Sequence, residues 1–145
     1  SCSNDSTDGI TTPPGPDYEV WTGANITFIK APNTDAGDAA NQDRITSNVA
    51  ITRGTSGGEI FNAVSESDAT ENVSPRGTKW AVGNISDVES LSFSSFRSAV
   101  GKPKNVVGKN LVMHIEADNV YLSVKFLSWA SSQSGGFSYE RSTKD

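Results

Sequence analysis

Cysteine, histidine and methionine each occur once in the 145 residues. One cysteine cannot close an internal disulfide, nor can it supply the spacing of a zinc or thiol-redox motif. The lone histidine, His114, lies between Met113 and Ile115 in an alternating stretch. It would serve as a general base only beside a nucleophile, and no G-x-S-x-G elbow occurs; otherwise it is a histidine of a sheet surface or core edge. No apolar run reaches the length of a membrane-spanning helix. The cationic surplus that attracts nucleic acid or anionic lipid is also missing: the formal net charge is -5, and no nucleic-acid partner is expected. Carboxylates are plentiful, and a glycoside-cleaving pair needs only proximity in space. Glu59, Glu66, Glu116 and Glu140 are available, but no spacing singles out two of them. The chain is read as non-enzymatic.

Only 34% of the residues are hydrophobic, yet the aromatic and β-branched ones are grouped where they can be buried together. The length suits one domain with a tail. Residues 1–17 form that tail: Ser, Thr, Asp and Gly, then Thr12-Pro13-Pro14-Gly15-Pro16, with Ile10 the only large apolar side chain. Such a segment buries too little surface to offset its ordering entropy, and its prolines favour extended geometry. It is expected to be a flexible tether to a domain spanning 18–145.

From Tyr18 onward the pattern has mostly period two, the signature of half-buried strands. Ala24, Ile26 and Phe28 alternate with polar neighbours until Pro32; Val49 and Ile51 do so until Gly54. Glu59 to Val64 and Lys79 to Val82 give two further short strands. Ser86 and Glu89 have the spacing of a capping box, so a short helix is expected from Ser86 to about Leu91. The last third predicts three consecutive antiparallel strands. Leu111, Met113 and Ile115 share a face; after the Asp118-Asn119 turn, Val120, Leu122, Val124 and Phe126 share another; Phe137 to Arg141 completes the meander. The expected fold is all-β, an antiparallel β-sandwich of jelly-roll-like type with one short helix.

Phe126-Leu127-Ser128-Trp129 followed by Gly135-Gly136-Phe137-Ser138-Tyr139-Glu140-Arg141-Ser142-Thr143 resembles the terminal motif of secreted bacterial β-modules. Asn41 to Thr46 and Ile51-Thr52-Arg53-Gly54 look similar to earlier parts of such modules. The segment opening Ser1-Cys2-Ser3, with Asn4, Asp5 and Asp8 behind it, resembles the acidic start of Bacteroidota-type surface lipoproteins. The resemblances imply an extracellular β-domain on the bacterial outer membrane or cell surface. Cys2 is then the lipid-attachment residue and the only membrane anchor; the alternative is an ordinary surface thiol. No activity comes with either resemblance.

Two candidate sites follow from the residues themselves. Asp35, Asp38, Asn41 and Asp43 place oxygen ligands on a glycine-containing loop, which could hold a structural Ca2+ ion. The other account of the loop is Asx turns and an Asp43-Arg44 charge pair. Strict alternation puts Tyr121 and Trp129 opposite the aliphatic face of their strand, and Tyr139 and Arg141 on the next strand could extend an exposed patch. Flat aromatic faces beside polar groups suit sugar rings. For Trp129 a bulge would instead turn the ring onto the core, as Gly135-Gly136 suggests by allowing close packing. The expected partner is a polysaccharide, or else a surface protein engaged by an adhesive or structural subunit.

Overall fold

Strands form where the alternation places them, and two more form where it is broken. In the computed structural model, which describes residues 18–55, 59–130 and 134–145, the strands are β1 Glu19–Trp21, β2 Ile26–Lys30, β3 Asp43–Thr46, β4 Val49–Arg53, β5 Ile60–Asn62, β6 Thr78–Val82, β7 Asn110–Ile115, β8 Val120–Trp129 and β9 Phe137–Arg141. The expected tether and Cys2 lie outside the described residues. The larger sheet runs β2-β9-β8-β7-β6, with β1 pairing on β8, and the smaller is β3-β4-β5. The meander of β7, β8 and β9 is therefore present, and the architecture is an all-β sandwich. β1 escapes a periodicity argument because it is short and pairs in parallel with the start of β8. β3 escapes it because a register shift between Arg44 and Thr46 spoils its alternation. Among the described residues no helix is long and apolar enough to cross a membrane.

The helix is displaced from its expected position. Ile85–Ser90 is a 3-10 turn whose cap, Asn84, makes no side-chain bond, and Asp87 within it has non-helical φ/ψ. The turn begins after Asn84 and not at Ser86, and the Glu89 carboxylate accepts the Tyr18 hydroxyl at 3.0 Å. The single α-helix of the described residues, α1, is Phe96–Val100. Ser95 caps it, its hydroxyl accepting from the Ser98 amide, and Phe96 and Val100 are its buried side.

Between the sheets lies one apolar core. Leu111, Met113 and Ile115 of β7 and Val120, Leu122, Val124 and Phe126 of β8 meet Val49, Ile51 and Ile60 of the smaller sheet, with Phe96 filling the end. Trp80 is fully buried; its ring edge meets Phe96 at 4.9 Å, and its indole N–H is satisfied by Thr78 Oγ1 at 2.8 Å. β8 shifts register against β9 between Phe126 and Ser128. This bulge reverses Trp129, which packs on the core beside Phe96, Phe126 and Phe137. The Arg53 guanidinium sits 3.9 Å from the centre of that ring and donates to the carbonyls of Ala130 and Gly136 at 3.1 and 2.9 Å. Gly135 lets this crossing happen: its φ is +77°, and a Cβ there would collide with the Gly54 carbonyl.

A buried charge network ties the two sheets together. Asp43, on β3, accepts Arg141 Nε at 2.7 Å and Tyr139 Oη at 2.5 Å on one oxygen, and Arg141 Nη2 at 3.0 Å on the other. All three residues are buried, Tyr139 completely. Burial first, then the Asp43 charge, raises the Tyr139 phenol well above its ordinary value, so it stays a donor. Tyr139→Phe is expected to lose about 1.5–3 kcal/mol, the worth of a hydrogen bond to a charged group. Gly135→Ala is expected to lose at least about 1 kcal/mol through its positive φ. Urea unfolding measures both, and either variant matching the wild type would refute the corresponding contact.

Candidate ligand-binding site

The outward face of the larger sheet is where the aromatic residues reach the surface. Along β8, Val120, Leu122 and Val124 are buried while Tyr121 and Ser123 are half-buried and Lys125 is exposed. Tyr121 therefore faces outward, as the alternation places it. His114 stands directly opposite on β7, and the two rings stack at 4.2 Å with an interplanar angle of 11°. Asn119 holds His114 Nε2 at 2.8 Å. Phe93 meets the Tyr121 ring edge-on at 5.3 Å, and Tyr18 does so at 5.2 Å. The Tyr18 hydroxyl is anchored on Glu89, whose hydrogen bond raises that phenol above its ordinary value.

These rings bound a groove of about 440 Å³ lined by Tyr18, Val88, Glu89, Leu91, Phe93 and Tyr121. Tyr18 also borders a second, more polar cleft of about 590 Å³, shared with Glu19, Trp21, Thr46, Asp118, Val120 and Lys144. In that cleft Asp118 accepts from Thr46 Oγ1 at 2.7 Å and from Asn48 Nδ2 at 3.1 Å. Glu19 accepts the Trp21 indole N–H at 3.2 Å and lies 3.7 Å from Lys144. An apolar groove thus adjoins a polar one across a single tyrosine. Contacts with His114, Phe93 and Tyr18 fix the Tyr121 ring on its neighbours, so the aromatic surface is ordered.

Three of the four residues named for the exposed patch are not on it. Tyr139 and Arg141 lie on the inward face of β9 with Phe137, where Asp43 holds both. Tyr139 stands opposite Phe126, so the phase of β9 follows the buried face of β8. Trp129 is turned inward by the bulge and Trp80 is in the core, which leaves Tyr121 as the member of the set that faces outward. No sequence signal points to Tyr18, Glu89 and Phe93 as members of one groove; the spacing marks Glu89 only as part of a capping box. Tyr18 lies 103 positions from Tyr121 in the numbering and reaches it only because β1 pairs with β8.

The residues of the aspartate loop are engaged within the protein. Asp43 turns into the interior and spends both oxygens on Arg141 and Tyr139. Asp35 accepts the Gly37 amide at 2.9 Å, Asp38 caps the Ala39–Asn41 turn by accepting from Ala40 N, and the Asn41 amide donates to the Asp35 carbonyl. The four-oxygen set read from spacing is therefore not assembled. Among the described residues no group of three or more His, Cys, Asp or Glu side chains is placed to hold a metal ion.

The four carboxylates noted in the sequence have different surroundings. Glu66 is spent on the Asn62 and Arg76 amides and the Ser74 hydroxyl; Glu116 is exposed and Glu140 lies outward on β9. Glu59 is buried, with Oε1 lacking a hydrogen-bond partner among the described residues and Oε2 3.4 Å from Arg97. No family model, curated protein or solved structure matches the chain.

Burial is the main cause that raises the Glu59 carboxyl above its ordinary value; Arg97 opposes the shift, and Glu71 and Glu66 add to it. The folded protein then holds this proton more tightly than the unfolded chain. Stability from this group is full at acid pH and falls as pH rises past 4.5 and through the shifted value. Glu59→Gln should abolish that fall, so its melting temperature should gain on the wild type between acid and neutral pH. A difference independent of pH would refute this account.

Proposed function

We propose that the domain is a non-catalytic cell-surface or secreted module that binds carbohydrate, tethered to the bacterial outer membrane through acylated Cys2. The observation that carries the proposal is the Tyr121 ring, held by stacking on His114 at 4.2 Å at the wall of an open groove. Sugars present an apolar face of C–H groups and a rim of hydroxyls. The groove supplies ring surface from Tyr18, Phe93 and Tyr121, and the adjoining cleft supplies Thr46, Asp118 and Lys144 for the rim. The net charge of -5 favours neutral over anionic glycans.

A second reading, a structural or adhesive subunit that engages other proteins, is favoured by β2. This strand ends the larger sheet and exposes Ile26 by 43% and Ile29 by 69%. An apolar strand with an open edge can accept a strand from a partner.

Screening against a glycan array should give a polysaccharide ligand, and Tyr121→Ala should weaken its retention by about tenfold or more, on the scale of one base or sugar ring stacked on an aromatic side chain. The variant should keep a cooperative melt. Trp129→Ala, by contrast, should lower stability by about 2 kcal/mol or more, because it opens a cavity beside the core. Silence across the array together with a stable assembly in size-exclusion chromatography would favour the second reading.

A further inference from the structure

The outward face of the larger sheet carries another concavity, at the far end of the Ile85–Ser90 turn from the aromatic groove. It holds about 180 Å³, and Asn25, Asn84, Asn110, Ser123, Lys125 and Glu140 are among its lining residues. The turn connects the two sites physically: Ile85 belongs to this pocket, while Val88 and Glu89 belong to the groove. So does β8, which places Tyr121 in one and Ser123 and Lys125 in the other.

The chemistry of the pocket is unlike that of the groove. Asn25, Asn84 and Asn110 bring primary amides together, with Asn110 Nδ2 3.3 Å from Asn84 Oδ1. Lys125 and Glu140 are direct cross-strand neighbours, yet among the described residues neither makes a side-chain hydrogen bond or an ion pair. Asn25 likewise has no side-chain partner among them. Asn110 and Asn84 share one hydrogen bond; the remaining donors and acceptors of Asn25, Lys125 and Glu140 are gathered around the same hollow without being spent on one another. A hydroxyl both donates and accepts, and vicinal hydroxyls match such a mixed set better than an anion or a cation does.

We infer that this amide-lined pocket is a second subsite, which reads the hydroxyls of a neutral sugar unit while the Tyr121 groove stacks another unit of the same chain. The ligand is then an oligosaccharide. From Tyr121 to Lys125 the strand advances about 13 Å at about 3.3 Å per residue, too far for a single monosaccharide to bridge. This inference rests on the Tyr121 groove as a sugar site and adds chain length as the determinant of affinity.

The test uses neutral trisaccharides and their parent monosaccharides, drawn from whichever glycans the array retains, titrated calorimetrically. The trisaccharide should bind about tenfold more tightly than the monosaccharide, the worth of one or two hydrogen bonds. Asn84→Ala with Lys125→Ala should erase that gain and leave monosaccharide affinity unchanged. Glu140→Gln, a milder change, should reduce the gain, and side-chain amide resonances of Asn25, Asn84 and Asn110 in the wild type should shift with the trisaccharide alone. Equal affinity for both lengths, or unmoved amide resonances, would overturn the subsite while leaving the groove intact. Binding of no array glycan, or retention unaffected by Tyr121→Ala, would overturn the groove and the subsite with it.

Discussion

A buried carboxylate–guanidinium pair governs this fold. Asp43 of the smaller sheet grips Arg141 of the larger one through both oxygens and takes the Tyr139 hydroxyl as a third donor. A charged side chain at an inward position tolerates no slip: moving β9 by one residue would turn Arg141 outward and bring Glu140 into the core beside Asp43. Because Arg141 pairs with Val124 and Tyr139 with Phe126, fixing β9 also fixes β8. The outward phase of Tyr121, Ser123 and Lys125 follows. The clamp therefore supplies register as much as stability, which is the role buried ion pairs fill best.

What the sequence made legible divides along the same physical line. Strands with unbroken alternation, such as β7 and the first half of β8, could be read directly, including the outward position of Tyr121. The fold class followed from them. Where a bulge intervened, alternation gave the wrong side, as at Trp129 beyond Phe126. Where a polar residue was bought inside by a distant partner, polarity misled. Arg141 and Asp43 looked like surface groups because no local pattern announces a partner 98 positions away. Lys30 behaves alike: it is 1% exposed at the end of β2, donates to the Thr34 carbonyl, and is lowered in pKa by burial and by the nearby Arg53 charge. The groove was illegible for a related reason, since parallel pairing of β1 with β8 is a long-range contact that brings Tyr18 to Tyr121.

Placed on this frame, the surface has a consistent chemistry. Aromatic rings are grouped at one end of the Ile85–Ser90 turn and amides at the other, on the face that the core does not use. Glu89 links the frame to the site: it accepts the Tyr18 hydroxyl from the edge of the 3-10 turn and lines one wall of the groove. On the proposed reading, a recognition surface built on strands and a pinned turn would bind with little ordering cost.

The clamp itself is tested most directly by a double-mutant cycle in urea, pairing Asp43→Leu with Arg141→Met. Each single variant strands one buried charge and should lose about 3–5 kcal/mol, whereas the double variant removes both charges and should recover most of that loss. Losses that simply add would contradict a direct buried pair and, with it, the account of how the sheets are held in register.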